Sequence, residues 1–175
     1  MDIVYTRRLE LVPITLAMVE AVLANDRRKA ERLTEATLPP AWGPEIITRA
    51  FSVSIEAVRA DPDGRLWGDR LFITRDGERQ VVGSVIFHGR PQEDGVAEVG
   101  YGIDPGVQGQ GLATEGTAAA VEWALVQPGV TAVHATTFPW HRASLRVIEK
   151  LGMRHVGMRE HDVLGELLVF ERRRA

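Results

Sequence analysis

Residues 98–116 read E-V-G-Y-G-I-D-P-G-V-Q-G-Q-G-L-A-T-E-G, and the chain changes character in the middle of this stretch. From Val96 to Ile103 the β-branched and aromatic residues predict a strand, which Pro105 stops. From Leu112 the apolar positions Leu112, Ala119, Ala120, Trp123 and Val126 keep near-helical spacing, predicting a helix to about Gln127 that Pro128-Gly129 ends. Between the two lies Gln108-Gly109-Gln110-Gly111-Leu112-Ala113. The glycines allow a tight turn with uncovered N–H groups, where a helix N-terminus already presents unpaired donors and a partial positive charge. Such a turn suits an anion, in the first place a phosphate or pyrophosphate.

What the turn lacks narrows the ligand. No Lys-Ser/Thr follows the second glycine, so it is not a nucleoside-triphosphate loop. Thr114 stands where a dinucleotide fingerprint needs a third Gly or Ala, and the next strand, Thr131 to Thr137, offers no terminal acid for a ribose.

The 175 residues predict one domain, able to bury roughly 70% of its unfolded surface. A formal charge of −3 argues against broad nucleic-acid affinity, and the closing Arg172-Arg173-Arg174 reads as a solvated end. There is no cysteine, hence no disulfide framework, thiol nucleophile or Cys-based zinc site. The five histidines lack metal-ligand spacing with acids, so no metal is expected. No apolar run approaches the ~20 residues of a membrane span, and the N-terminus has no signal-peptide core. The expected setting is the cytoplasm, with neither membrane nor nucleic acid as partner.

Ahead of the deciding stretch, Arg8 to Ile14 predicts a strand that Pro13 puts near an edge. Thr15 caps a helix to about Ala24, which residues 25–35 extend or interrupt. Residues 38–44 hold three prolines and Trp42 and read as an ordered loop or the start of a short helix, in which Trp42 either walls a pocket or packs on the core. Glu45 to Ala60 reads as a second helix, ended by Asp61-Pro62-Asp63-Gly64. Leu66–Arg75 and Val81–His88 are strands that join the one at 96–103 in an antiparallel meander. Beyond the deciding stretch come a strand at 131–137, a helix from Arg142 to Leu151 closed by Gly152, and strands at Met153–Arg159 and Leu167–Arg172.

Gln108-x-x-Gly111-x-Ala113, between a strand and a helix, resembles the Gln/Arg-x-x-Gly-x-Gly/Ala acyl-CoA loop of the GNAT N-acetyltransferases. His141-x-x-Ser144-x-x-Val147-x-Glu149-Lys150-Leu151-Gly152-Met153 is similar to the Asn-x-x-Ser-x-x-Val-x-Glu-Lys-Leu-Gly-Phe of the RimJ/RimL-like group, which acetylates ribosomal-protein N-termini. Arg8-Leu9-Glu10-Leu11, Glu98-Val99-Gly100-Tyr101 and Leu112-Ala113-Thr114-Glu115 match that group too, so the likeness spans nearly the whole chain. The resemblance implies an α/β fold: a mixed, mainly antiparallel sheet, split near the acyl-CoA site and flanked by helices. It also implies acetyl-CoA as co-substrate, an amine as acceptor and, as one option, a homodimer. Two positions depart from the pattern. His141 replaces the group's Asn, and Ile148 occupies the place where many relatives carry a general-acid Tyr.

By the resemblance, backbone groups of Gln108, Gly109, Gln110, Gly111, Ala113 and Thr114 bind the coenzyme's phosphates, and Ile103 and Val107 line its pantetheine arm. Glu98 is the candidate base, directly or through water, against the reading of a loop-anchoring carboxylate. Ser144 is the candidate donor to the leaving thiolate or a hydrogen-bond partner of the coenzyme, against an ordinary first-turn serine. His141 caps its helix, contacts coenzyme or relays a proton. His134 reads as a packed core histidine, and Glu115 as a first-turn acid that complements the helix dipole. Two rival readings stay open: transfer from a longer acyl-CoA, and a module that holds acyl-CoA without turnover.

Overall fold

The structure, a computed structural model, describes residues 2–42, 55–161 and 165–174. Its frame is an eight-stranded sheet in the order β1-β2-β3-β4-β5-β6-β8-β7. The strands are β1 Val4–Tyr5, β2 Leu9–Pro13, β3 Arg70–Thr74, β4 Val81–Ile86, β5 Val96–Ile103, β6 Ala132–Thr137, β7 Arg154–His161 and β8 Gly165–Arg173. Only β5 and β6 run parallel among the described strands; every other neighbouring pair is antiparallel. The expected mixed, mainly antiparallel sheet is therefore present.

Alternation along the strands assigns the two faces. Phe72, Val82, Ala97, Val99, Val133 and Ala135 turn to one side, under helix α5 (Leu112–Leu125) and helix α6 (Arg142–Lys150). Leu71, Ile73 and Val81 turn to the other, under α1 (Leu16–Leu23) and α2 (Arg27–Thr34). Trp42 packs at the margin of this second cluster. Helix α5 lies close on the sheet because Gly116 faces Phe72, where an added Cβ would meet three ring atoms within 2.9 Å.

Several boundaries differ from the sequence reading. The Thr15 hydroxyl does cap α1, accepting from the Met18 N–H. Asn25 then adopts φ +54° and the Asp26 side chain caps a separate α2, so the helix is interrupted rather than extended. Of the helix expected over 45–60, Ile55–Ala60 is observed as α3, while 45–54 lie outside the described residues. Asp61-Pro62 does not merely stop it. The Asp61 carboxylate accepts from the Gly64 N–H and Pro62 sits at the first helical position, starting the short helix α4 (Pro62–Arg65). Leu66 consequently caps α4, and the strand expected from Leu66 begins at Arg70. Strand β1, missed in the sequence, pairs only with Leu11 and Glu10, so Pro13 lies past its end, on an edge as expected.

Candidate active site

The sheet opens at β5. Its first half, Val96–Val99, pairs with β6, and its second half, Gly100–Ile103, pairs with β4. Beyond Val99↔Ala135 the edge of β5 that faces β6 is unpaired, while β6 continues against β8 alone. A crevice at the carboxyl ends of two diverging parallel strands is the usual ligand site of an open α/β sheet.

The glycine turn closes one end of this crevice. Asp104 caps a short 3-10 turn, Pro105–Val107, by accepting from the Gly106 N–H at 2.9 Å. Gly109 and Gly111 then take φ of +77° and +79°, which glycine adopts without strain. Gly111 is the N-cap of α5 and offers no side chain to its first turn, so those N–H groups stay available. A Cβ on Gly109 would meet nothing within 4 Å, and one on Gly111 only an Arg8 guanidinium nitrogen at 3.6 Å. Gln108, Gly109, Gln110 and Gly111 are exposed, with Ala113 and Thr114 half-buried in the helix's first turn. Ile103 and Val107 lie half-buried against the main core at the end of β5 and in the 3-10 turn.

Glu98 stands at the last paired register but one, opposite His134. Arg159 of β7 holds its carboxylate with both terminal nitrogens, at 2.7 and 3.2 Å, and the Thr136 hydroxyl donates at 3.1 Å. Burial pushes this carboxyl up. The Arg159 hydrogen bonds and charge, the nearby His88 and the Thr136 hydroxyl outweigh it and hold the pKa below the ordinary carboxylate value. Glu98 is thus a fixed anion.

Tyr101, three residues along β5, points to the opposite face of the sheet. Its hydroxyl lies 3.0 Å from Ser144 Oγ and 3.2 Å from the Ser144 carbonyl. Burial raises the phenol above its usual pKa, and the Ser144 contact offsets this only in part, so the proton is retained. His141 is the N-cap of α6, its Nδ1 accepting from the Ser144 N–H at 3.3 Å; the imidazole fills a capping role open to Asn. Ile148, in the place of the frequent Tyr, is 1% exposed and belongs to the core.

The structure joins Ser144 to Tyr101 and to the His141 cap, and it puts Glu98 and Tyr101 on opposite faces of β5, the strand that leads into the glycine turn. Arg159, Thr136 and Tyr101 were missed in the sequence. Tyr101 alone had a signal there, its odd spacing from Glu98 on a predicted strand; nothing local marks Arg159. His134 is not packed in the core as expected. It is half-buried, with Nε2 3.1 Å from a carboxylate oxygen of its cross-strand partner Glu171, because it points to the face of the sheet opposite Val133 and Ala135, which carry the main core. Among the described residues no three His, Cys, Asp or Glu side chains gather as a metal site, and no helix is long and apolar enough to cross a membrane.

A YjdG N-acetyltransferase of Bacillus subtilis (strain 168) is 24% identical to this chain over 152 residues, 87% of this chain and 89% of its own length. The ribosomal-protein-S5-alanine acetyltransferase of Vibrio fischeri superimposes with a TM-score of 0.66 at 14% identity, over 99% of this chain and 97% of its own. RimL, a ribosomal L7/L12 α-N-protein acetyltransferase solved in complex with coenzyme A, gives 0.64 at 16% identity over 98% of both chains. At such identities the structural likeness speaks for the fold alone. The sequence profile of the family described as "Acetyltransferase (GNAT) domain" matches residues 8–154, and with this match the chain belongs to the GNAT family of acetyl-CoA-dependent acetyltransferases.

Proposed function

We propose that the chain is a RimJ/RimL-like N-acetyltransferase of the cytoplasm that moves the acetyl group of acetyl-CoA to the α-amine of a peptide or protein N-terminus by direct attack on the thioester. The observation that carries this reading is the pair of groups on β5. An anchored carboxylate, Glu98, lies on one face of the split, and the Tyr101–Ser144 hydroxyl pair lies on the other.

The attacking nitrogen must be neutral. A carboxylate held below its ordinary pKa is a weak base, suited to an α-amine (pKa ~7.7–8.0) and poorly suited to a lysine amine (~10.4). On this reading Glu98 attracts the amine and orders a water that takes its proton. The C–N bond forms, the C–S bond breaks, and the departing thiolate receives the Ser144 hydroxyl proton, replaced from Tyr101 behind it. The proton lost by the amine passes through the ordered water to solvent, and Tyr101 regains its own proton from solvent. Backbone donors on the unpaired edge of β5 are available to the carbonyl oxygen; one such donor is typically worth ~10²–10³ in rate. Amide groups of Gln108 to Thr114 would hold the pyrophosphate, with Ile103 and Val107 along the arm.

The test is thiol release and mass spectrometry with acetyl-CoA and two peptides, one with a free α-amine and one N-blocked with a free lysine. The free α-amine is expected to be acetylated and the blocked peptide left unchanged. Gly111→Glu should abolish acetyl-CoA binding, because its carboxylate would occupy the phosphate surface. Preference for the lysine peptide, or saturable acetyl-CoA binding with no thiol release across a panel of amines, would overturn the proposal.

A further inference from the structure

The Gln108–Thr114 turn is not held by its own helix alone. Arg8, just ahead of β2, reaches it from 102 residues away and donates from Nη1 to the Gln110 carbonyl at 2.9 Å. Glu115, in the first turn of α5, grips Arg8 from the other side. Its Oε2 accepts from Arg8 Nε at 2.7 Å, and its Oε1 accepts from the Arg8 backbone N–H at 2.8 Å and the Thr6 hydroxyl at 2.7 Å. Burial pushes the Glu115 carboxyl up, but the Thr6 and Arg8 hydrogen bonds outweigh it, and the group is held as an anion.

This arrangement bears on one peptide plane. In a trans peptide the C=O and the following N–H point in opposite directions. With the Gln110 carbonyl drawn towards Arg8, the Gly111 N–H is turned away from Arg8, towards the open surface of the turn. Gly111 itself imposes little on that plane, since glycine rotates at low cost. A flip would replace a donor with a carbonyl oxygen and so repel a phosphate. The turn needs a restraint from behind. The planar guanidinium suits the task, because it binds a carboxylate with one edge and keeps a terminal nitrogen for the carbonyl.

We propose that Arg8 is a positioning residue for the coenzyme: pinned by Glu115, it locks the Gln110–Gly111 peptide with its N–H facing the pyrophosphate. The proposal rests on reading 108–114 as the phosphate-binding turn. Glu115 accordingly does more than complement the helix dipole.

The experiment compares acetyl-CoA with S-acetylpantetheine, which carries the same thioester without the pyrophosphate, in the native protein and in Arg8→Gln, Arg8→Lys and Glu115→Gln. The ratio of the KM for acetyl-CoA to that for S-acetylpantetheine should rise about tenfold in Arg8→Gln, the loss expected when one charge-assisted phosphate contact becomes a repulsive one. Its kcat should stay within about twofold. Arg8→Lys, which keeps a cationic donor, should recover most of the ratio, and Glu115→Gln should fall between. Thermal unfolding without ligand identifies variants that fail to fold; the two milder ones then carry the comparison. An unchanged ratio in folded variants, or an equal loss with both thioesters, would overturn the proposal. If native protein does not favour acetyl-CoA over S-acetylpantetheine and Gly111→Glu changes nothing, the reading of the turn itself fails, and this proposal with it.

Discussion

Replacing Asp69 with asparagine should stabilise the protein at neutral and alkaline pH and leave it nearly unchanged in acid. Asp69 precedes β3 and is 1% exposed. Its Oδ1 accepts the Phe87 N–H at 2.7 Å, its Oδ2 has no partner, and no cation stands within ion-pair distance among the described residues. Burial raises the carboxyl from the ordinary 3.8 to about 7, with the Phe87 hydrogen bond a smaller opposing influence. The sign follows directly. The folded state holds this proton more tightly than the unfolded chain, so stability declines as pH rises from about 4 to about 7 and then levels off. At about 1.36 kcal/mol per pH unit, the loss has a ceiling of roughly 4 kcal/mol. Asparagine keeps the acceptor for Phe87 and carries no charge at any pH. Urea unfolding of both proteins at pH 4.5, 6 and 8 should give stabilities within about 1 kcal/mol at the lowest pH, and an advantage for Asp69→Asn that grows by about 2–4 kcal/mol by the highest. A difference that does not change with pH, or an aspartate form that gains on the asparagine form towards pH 8, would refute the argument.

Arg159→Met removes the groups that oppose burial at Glu98, so the Glu98 pKa should rise and the acid limb of the kcat/KM–pH profile should move to higher pH. That profile also reports whether Glu98 belongs to the rate-determining chemistry, since an uninvolved carboxylate would leave the limb in place. Tyr101→Phe should lower kcat by about 10²-fold with little change in the KM for acetyl-CoA, the scale of a lost general acid; steady-state kinetics decide it. His141→Ala removes the cap of α6 and should cost about 1 kcal/mol in thermal or urea unfolding, whereas His141→Asn should be close to neutral.

The elements that bury an apolar face were legible in the sequence, because burial imposes a period that survives without coordinates. Val96–Ile103 is observed with the bounds expected, and Leu112–Leu125 ends within a turn of its predicted limit. Elements decided by a single polar contact were harder to read. Asp61-Pro62 closes one helix, as expected, and also opens another, because its carboxylate finds the Gly64 N–H. Asp26 divides α1 from α2 in the same way, by accepting from the Lys29 N–H. At the site, the turn could be read because its glycines, helix start and missing lysine lie within a few residues. The partners of its charged groups could not. Arg159 meets Glu98 across 61 residues and Arg8 meets Glu115 across 107, separations fixed by strand order and register rather than by local pattern.

The interval from Glu98 to Tyr101 joins fold and chemistry. On a continuous sheet an odd spacing puts two side chains on opposite faces, where they cannot serve one reaction centre. Here β5 loses its β6 partner after Val99, so the layer between the two faces is open where the groups diverge. On the proposed mechanism, an amine on the Glu98 side and a thioester sulfur on the Tyr101–Ser144 side meet through the split, each beside the group its proton transfer requires. The same reasoning explains how the core residue Ile148 is compatible with acid catalysis. The function of the missing α6 tyrosine needs only a protonated hydroxyl near the start of that helix, and Tyr101 reaches Ser144 there from the strand. On this mechanism Ser144→Ala and Tyr101→Phe remove members of one proton path. The double variant should then be scarcely slower than the worse single variant, whereas independent roles would multiply the two losses.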